Sequence, residues 1–421
     1  MHIADSDKLL RRARRVAGAL LAGSAIAGMA ALAPAQAAQP IKIGVLAPAS
    51  AINGKAIFQG AELAADQINA NGGINGRQIK LITYDNHASA SDAVRAFQRA
   101  ARQDHVVAVT GSFISEVALA VEPWAARLKT PFVVTGAAST EITKKIHDHY
   151  NQYKYVFHDW LNSFQIGESV CDFSKDILVG QLHYQSAAIM SENAAWTKPL
   201  DAAYEQCLPK AGLKVVAKQV FSPDTNDFSP IFSKIKAANP DVIVTGIAHV
   251  GVKPTVQWHS QQVPLLMTGV SAQAGASTFW DATNGATEGV VTESAGAPGG
   301  KVTAKSVPFQ DAYRKKFGGE PAYDAYSTYD SIYFLKNAIE RAGSTNGAKL
   351  VSALEKTDYT GTWGTVKFHG KDSKFTHGLV YGSGGVRGVM LQWQKGKQVT
   401  IWPQGAATGQ ITIPDFVKQA Q

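Results

Sequence analysis

The stretch from Ile41 to Asn86 constrains the fold more than any other part of the chain. A short apolar run (Ile41, Ile43, Val45, Leu46) leads into a loop of Pro, Ser, Asn and Gly residues. Ala56 to Ala70 then carries apolar residues at helical spacing until Asn71-Gly72-Gly73 stops it. A second apolar run, Gln78 to Tyr84, follows Asn75-Gly76 and lies too far along the chain to be a hairpin partner. The pattern therefore predicts strand, helix and parallel strand, a βαβ unit. In such sheets ligands bind at the loops beyond the carboxyl ends of the strands.

The same rhythm continues. Ser91 to Gln103 has helical period, Val106 to Thr110 is a β-branched run ending on Gly111, and Ser112 to Ser115 forms a loop. Glu116 to Leu128 predicts the next helix, and Pro131 to Thr135 another strand before Gly136 and the loop Ala137 to Thr140. A second series begins near His158: helix at Phe164–Leu178, strand at Ala187–Met190, helix at Pro199–Ala211, strand at Lys214–Phe221. Asp227–Ala238 reads as helix, Asp241–Thr245 as strand, Gly251–Gln261 as helix and Pro264–Gly269 as strand. From Glu288 the chain returns to the first lobe through helices at Val307–Phe317, Tyr326–Ala342 and Lys349–Lys356. The tail alternates like a small antiparallel addition. The fold class is α/β, with two doubly wound, Rossmann-like lobes joined by a hinge. The expected division is 41–158 with 292–364 for lobe 1, and 159–291 with 365–421 for lobe 2.

Residues 1–37 are read separately. A basic segment (Lys8, Arg11, Arg12, Arg14, Arg15) precedes an apolar stretch from Val16 to Leu32 and the small-residue site Pro34-Ala35-Gln36-Ala37, the pattern of a secretory signal peptide. No Cys follows that would attach a lipid, and Arg11-Arg12 leaves the export route open. The expected location is the periplasm. Removal of this segment lowers the formal charge from +8 to +5, and the remaining Lys and Arg are scattered, so nucleic-acid binding is not expected. Cys171 and Cys207 would then sit in an oxidising compartment, either paired or as two buried thiols.

Catalytic patterns are missing. Gly269-Val270-Ser271-Ala272-Gln273 lacks the final Gly of a nucleophile turn, and neither H-E-x-x-H nor a phosphate-cradling G-x-x-x-x-G-K occurs. Gly382-Ser383-Gly384-Gly385 reads as a turn. His147-Asp148-His149 could set two imidazoles on one side of an extended segment and bind a metal, but the expected reading is a polar loop beside Lys144-Lys145. The expectation is a protein that binds rather than transforms, with no cofactor and no metal.

Several stretches resemble the periplasmic branched-chain amino acid-binding proteins, the receptors of ABC importers with a type I bilobal fold. They are Gly60-Ala61-Glu62-Leu63-Ala64, Ile68 to Arg77 (INANGGINGR), Tyr84-Asp85-Asn86, Gly111 to Ser115, and Pro131 to Ser139. The resemblance implies a small-molecule ligand held between the lobes, an inner-membrane ABC permease as partner, and a monomer; a ligand-sensing receptor subunit is the other expectation. It places Ser115, Ala137 and Ser139 at the ligand carboxylate, with Trp196 as the second-lobe aromatic and Phe113 as a stacking candidate. His249 falls beside a family tyrosine position, and Asn53 stands where the family has an aromatic residue. The family's acidic partner for an ammonium should fall within Met267 to Ala274, which contains no carboxylate. Glu192 or Asp281 is then expected to substitute, or the ligand is not an ordinary α-amino acid.

Overall fold

The computed structural model describes residues 39–417, so the signal-peptide reading lies outside the described residues. Among the described residues no helix is long and apolar enough to cross a membrane. The opening unit forms as its periodicity predicts: β1 (Ile41–Ala47), α1 (Ile52–Ala70) and β2 (Ile79–Asp85), with β1 and β2 parallel and Ile41 opposite Ile79. α1 buries Ala56, Ile57, Ala61, Ala64 and Ile68, one face of a 3.6-residue repeat. Gly60 lies on that face, where a Cβ would meet the backbone of Ala325. A small residue therefore lets α1 lie close against the long α-helix Tyr323–Ala342. Gly73, at φ +74°, makes the turn after α1, and a side chain there would overlap the Arg77 carbonyl.

Next come α2 (Ala90–Arg102), β3 (Ala108–Gly111), α3 (Ser115–Leu128), β4 (Phe132–Val134), α4 (Thr140–Asp148), α5 (Tyr150–Tyr153) and β5 (Val156–His158). The first sheet runs β2-β1-β3-β4-β5, all parallel. After α6 (Ser163–Phe173) a second series follows: β6 (Ser186–Glu192), α7 (Thr197–Ala211), β7 (Lys214–Phe221), α8 (Ser229–Ala237), β8 (Val242–Ile247), α9 (Val252–Ser260) and β9 (Leu266–Ser271). Its sheet, β7-β6-β8-β9, repeats the parallel plan. In both sheets the first strand is flanked by the second and third, so the order reverses there and leaves a crevice at the carboxyl edge.

The remainder is α10 (Phe279–Ala282), β10 (Val291–Ser294), α11 (Ser306–Phe317), α12 (Tyr323–Ala342), α13 (Gly347–Leu354), β11 (Asp358–Thr360), β12 (Thr365–Lys367), β13 (Val389–Gln394) and β14 (Lys397–Trp402). β13 and β14, from the alternating tail, pair antiparallel as expected and take β10 as a third strand, while the tail's first segment forms β12 and pairs with β11 in a separate sheet. Thr292 Oγ1 of β10 accepts the Ser271 N–H at 2.9 Å, which sets this small sheet beside the end of β9.

Two expectations need revision and one open question is answered. His147 and Asp148 close helix α4 instead of lying in an extended segment or loop. The Ser139 hydroxyl caps that helix, and Ile142 and Ile146, one turn apart, bury its inner face. No His/Cys/Asp/Glu group among the described residues could hold a metal ion. The helix predicted at Phe164–Leu178 is α-helical to Phe173 and continues as a π-helical turn, Ser174–Val179. The open question of the thiols is answered by a Cys171–Cys207 disulfide joining α6 to α7.

Candidate ligand-binding site

At the edge of the first sheet, β3 ends on Gly111 and Ser112 takes a left-handed conformation, φ +72°. The Ser112 N–H donates to Leu46 O at 2.8 Å, turning the chain so that α3 begins at Ser115. The Ser115 hydroxyl oxygen accepts the N–H groups of Ala138 (3.3 Å) and Ser139 (3.1 Å). The Ala137 N–H donates to Ser112 O at 3.3 Å, and the Ser139 hydroxyl accepts from Glu141 N–H at 3.3 Å. This edge is a dense web of neutral groups that satisfy one another. Behind it His158 is fully buried, its Nε2 against Ala137 O, and burial pushes its pKa down to about 4.

The edge of the second sheet is built around a charged residue. Glu192, the last residue of β6, is completely buried. Its Oε1 accepts from Trp196 Nε1 (3.0 Å) and stands 2.6 Å from His249 Nδ1, while Oε2 accepts the His249 N–H at 2.9 Å. Burial depresses the His249 pKa, but the hydrogen bond and charge of Glu192, with a contribution from Glu116, raise it overall above the ordinary value. Glu192 thus fixes two side chains at once.

Between these edges lies a narrow cavity, lined by Phe113, Gly136 and Ala138 from the first side and by Trp196, Ala248, His249, Val270 and Ala272 from the second. Trp160, Ile166, Glu293 and Tyr323 complete the wall. Trp160 is wedged between Tyr323 (centroids 4.4 Å apart) and Trp363 (4.9 Å), giving a fixed aromatic surface. The two sides also touch directly: Glu116 Oε1 accepts the Ala195 N–H at 2.8 Å, and the Ser163 hydroxyl lies 2.8 Å from Ala138 O and 2.6 Å from Trp196 O.

Of the residues expected at the site, Phe113, Trp196 and His249 reach the wall. Ser115, Ala137 and Ser139 do not line it and are buried, the two hydroxyl oxygens accepting backbone N–H groups and the Ala137 N–H donating to Ser112 O. Asn53 sits inside α1 instead of the preceding loop, does not line the cavity, and lies beside the buried Asp324. Neither expected acidic substitute faces the cavity: Glu192 is occupied by Trp196 and His249, and Asp281 is exposed on α10.

The carboxyl group in the wall is Glu293, on β10. It is 4% exposed, its Oε1 has no hydrogen-bond partner, and burial pushes its pKa up to about 8. No local pattern marks it. It reaches the cavity because β10 pairs beside the end of β9, bringing it next to the stretch that lacks a carboxylate.

The family model described as periplasmic binding protein matches residues 40–383. The chain is 25% identical over 420 residues to a Leu/Ile/Val-binding protein homolog 7 of Brucella melitensis biotype 1, covering 94% of this chain and 99% of that one. Among solved structures it is similar to the branched-chain amino acid transporter substrate-binding protein LivJ of Streptococcus pneumoniae in complex with isoleucine. That match has a TM-score of 0.73 and 24% identity, covering 86% of this chain and all of that one. It is also similar to a solute-binding protein of an ABC transporter from Rhodopseudomonas palustris BisB5 in complex with 3,4-dihydroxybenzoic acid. Here the TM-score is 0.72 and identity 20%, covering 88% and 98% of the two chains.

Proposed function

The chain belongs to the periplasmic binding protein family, and from that premise we propose that it is the solute-binding component of an ABC importer. It binds a small carboxylate-bearing or amino-acid-like solute between two lobes and delivers it to an inner-membrane permease. It works in the periplasm as a monomer and performs no chemistry on its cargo. The lobes are 41–158 with 292–364, and 159–291 with 365–421, moving about the crossings between them.

The observation that carries this reading is the cavity walled from the carboxyl edges of both parallel sheets, with Phe113 and Ala138 facing Trp196 and His249. A site built from two halves is occupied best when the halves are together, so ligand binding and closure are coupled. The relatives that support the reading are named for branched-chain amino acids in one case and bind an aromatic acid in another.

The test is a thermal-shift screen with isoleucine, leucine, benzoate and 3,4-dihydroxybenzoate. A ligand at a hundred times its Kd stabilises the folded state by about 2.7 kcal/mol, enough to raise Tm by several degrees. A shift with at least one carboxylate or amino acid supports the proposal. No shift with any of them, while an unrelated polar solute gives one, would overturn it.

A further inference from the structure

The polar groups of the cavity wall have a common character. His249 is held by Glu192 through Nδ1 and its own N–H, which leaves Nε2 as the ring nitrogen without a protein partner among the described residues. Nδ1 lies 2.6 Å from the Glu192 carboxyl, a contact that favours the protonated ring, and in that form Nε2–H is a donor. Glu293 is buried with Oε1 unpartnered, and no Lys or Arg lines the cavity to hold it ionised. A carboxyl group in that setting keeps its proton, and a protonated carboxyl is a donor as well as an acceptor. The rest of the wall is apolar, dominated by Phe113, Trp160, Trp196 and Tyr323.

We propose that this cleft selects a small carboxylate with an apolar, preferentially aromatic body and no ammonium group, its oxygens met by His249 Nε2–H and the Glu293 carboxyl proton. The inference rests on the reading of the chain as a solute-binding protein and narrows its cargo. An α-amino acid would need an ionised carboxylate facing the cleft. Glu192 is spent on Trp196 and His249, Asp281 is on the surface, and Glu293 would have to lose its proton in an apolar wall. A buried ammonium without an ionised partner is strongly disfavoured. The rings of Trp160 and Tyr323, already fixed by packing on each other and, for Trp160, on Trp363, suit an aromatic ligand that enters with little loss of side-chain freedom.

Matched ligand pairs isolate the ammonium. Calorimetric titration of the mature protein with 3-phenylpropanoate against L-phenylalanine, and with 4-methylpentanoate against L-leucine, compares ligands that differ only in the amino group. The expected result is at least a tenfold preference for the des-amino member of each pair, with 3-phenylpropanoate the tighter of the two acids. His249→Phe should weaken acid binding tenfold or more.

Acid affinity should fall from pH 7 to pH 9, as Glu293, whose folded-state pKa is about 8, loses its proton. Glu192 and Glu116 are the charges that bear on His249, whereas the buried Tyr204 and Tyr323 near Glu293 are held neutral, their pKa values pushed well above the ordinary range. Glu293→Gln keeps an N–H donor at every pH and should make that fall shallower. Preferred binding of L-phenylalanine or L-leucine, abolished by Glu293→Gln, would overturn the inference while leaving the solute-binding reading intact. Silence from both pairs and from the full thermal-shift screen would overturn both.

Discussion

The two walls of the cleft solve the same problem differently. On the first, Ser115, Ala137, Ala138 and Ser139 pair with one another and with Ser112 through neutral backbone and hydroxyl groups. On the second, the single buried carboxyl of Glu192 holds Trp196 and His249 together. Neutral hydrogen bonds contribute roughly 0.5–1.5 kcal/mol each and bonds to charged groups roughly 1.5–3, so the second wall concentrates more energy in fewer atoms. The first wall is a distributed scaffold that tolerates a lost bond, whereas the second depends on one residue.

Substitutions can break this contrast. The largest effect is expected from Glu192→Ala, which removes three hydrogen bonds and releases both side chains. It should destabilise the fold by about 2–4 kcal/mol and weaken ligand binding far more than any first-wall change, as read by denaturant unfolding and calorimetry. Ser115→Ala leaves the Ala138 and Ser139 N–H groups buried without their acceptor and should cost about 1–3 kcal/mol. Ser139→Ala, which removes only the cap of α4, should cost about 1 kcal/mol and change affinity least. Equal losses of affinity from Ser139→Ala and Glu192→Ala would erase the distinction.

The pH dependence of stability sharpens it further. Glu293 has a folded-state pKa of about 8 against an ordinary value of 4.5. Between those values the unfolded chain gives up the proton that the folded protein keeps, so stability falls as pH rises across that window, by up to about 1.4 kcal/mol per pH unit. Glu293→Gln should therefore be more stable than the parent at pH 8, with the advantage shrinking toward pH 5. Asp330, raised to about 7 by burial, contributes a slope of the same sign that the variant retains. Thermal melts at pH 5 and pH 8 check this. An advantage at pH 8 no larger than at pH 5 would mean that Glu293 is ionised in the folded protein.

Much of the fold was legible because each βαβ repeat announces itself locally: apolar strand, small-residue loop, helical period. Phe113, Trp196 and His249 were found through the resemblance and do reach the wall. Glu293, Trp160 and Tyr323 were not, since they come from β10, the segment after β5 and the start of α12, brought together by long-range packing that no local spacing encodes. Asn53 was misplaced for a related reason: α1 starts one residue before it, turning an expected loop residue into a helical one beside Asp324. α4 was missed because its signal is brief, a capping Ser139 and two isoleucines one turn apart in an otherwise polar segment.

Trp160 and Trp196 both line the cleft, so the most direct test of a ligand site between the sheets is a titration followed by tryptophan fluorescence. With small carboxylates, aromatic ones included, the account predicts a saturable single-site change that Trp196→Phe reduces and His249→Phe shifts to higher ligand concentration. A ligand that stabilises the protein yet leaves the fluorescence flat, or a signal indifferent to both substitutions, would place binding elsewhere and contradict the account.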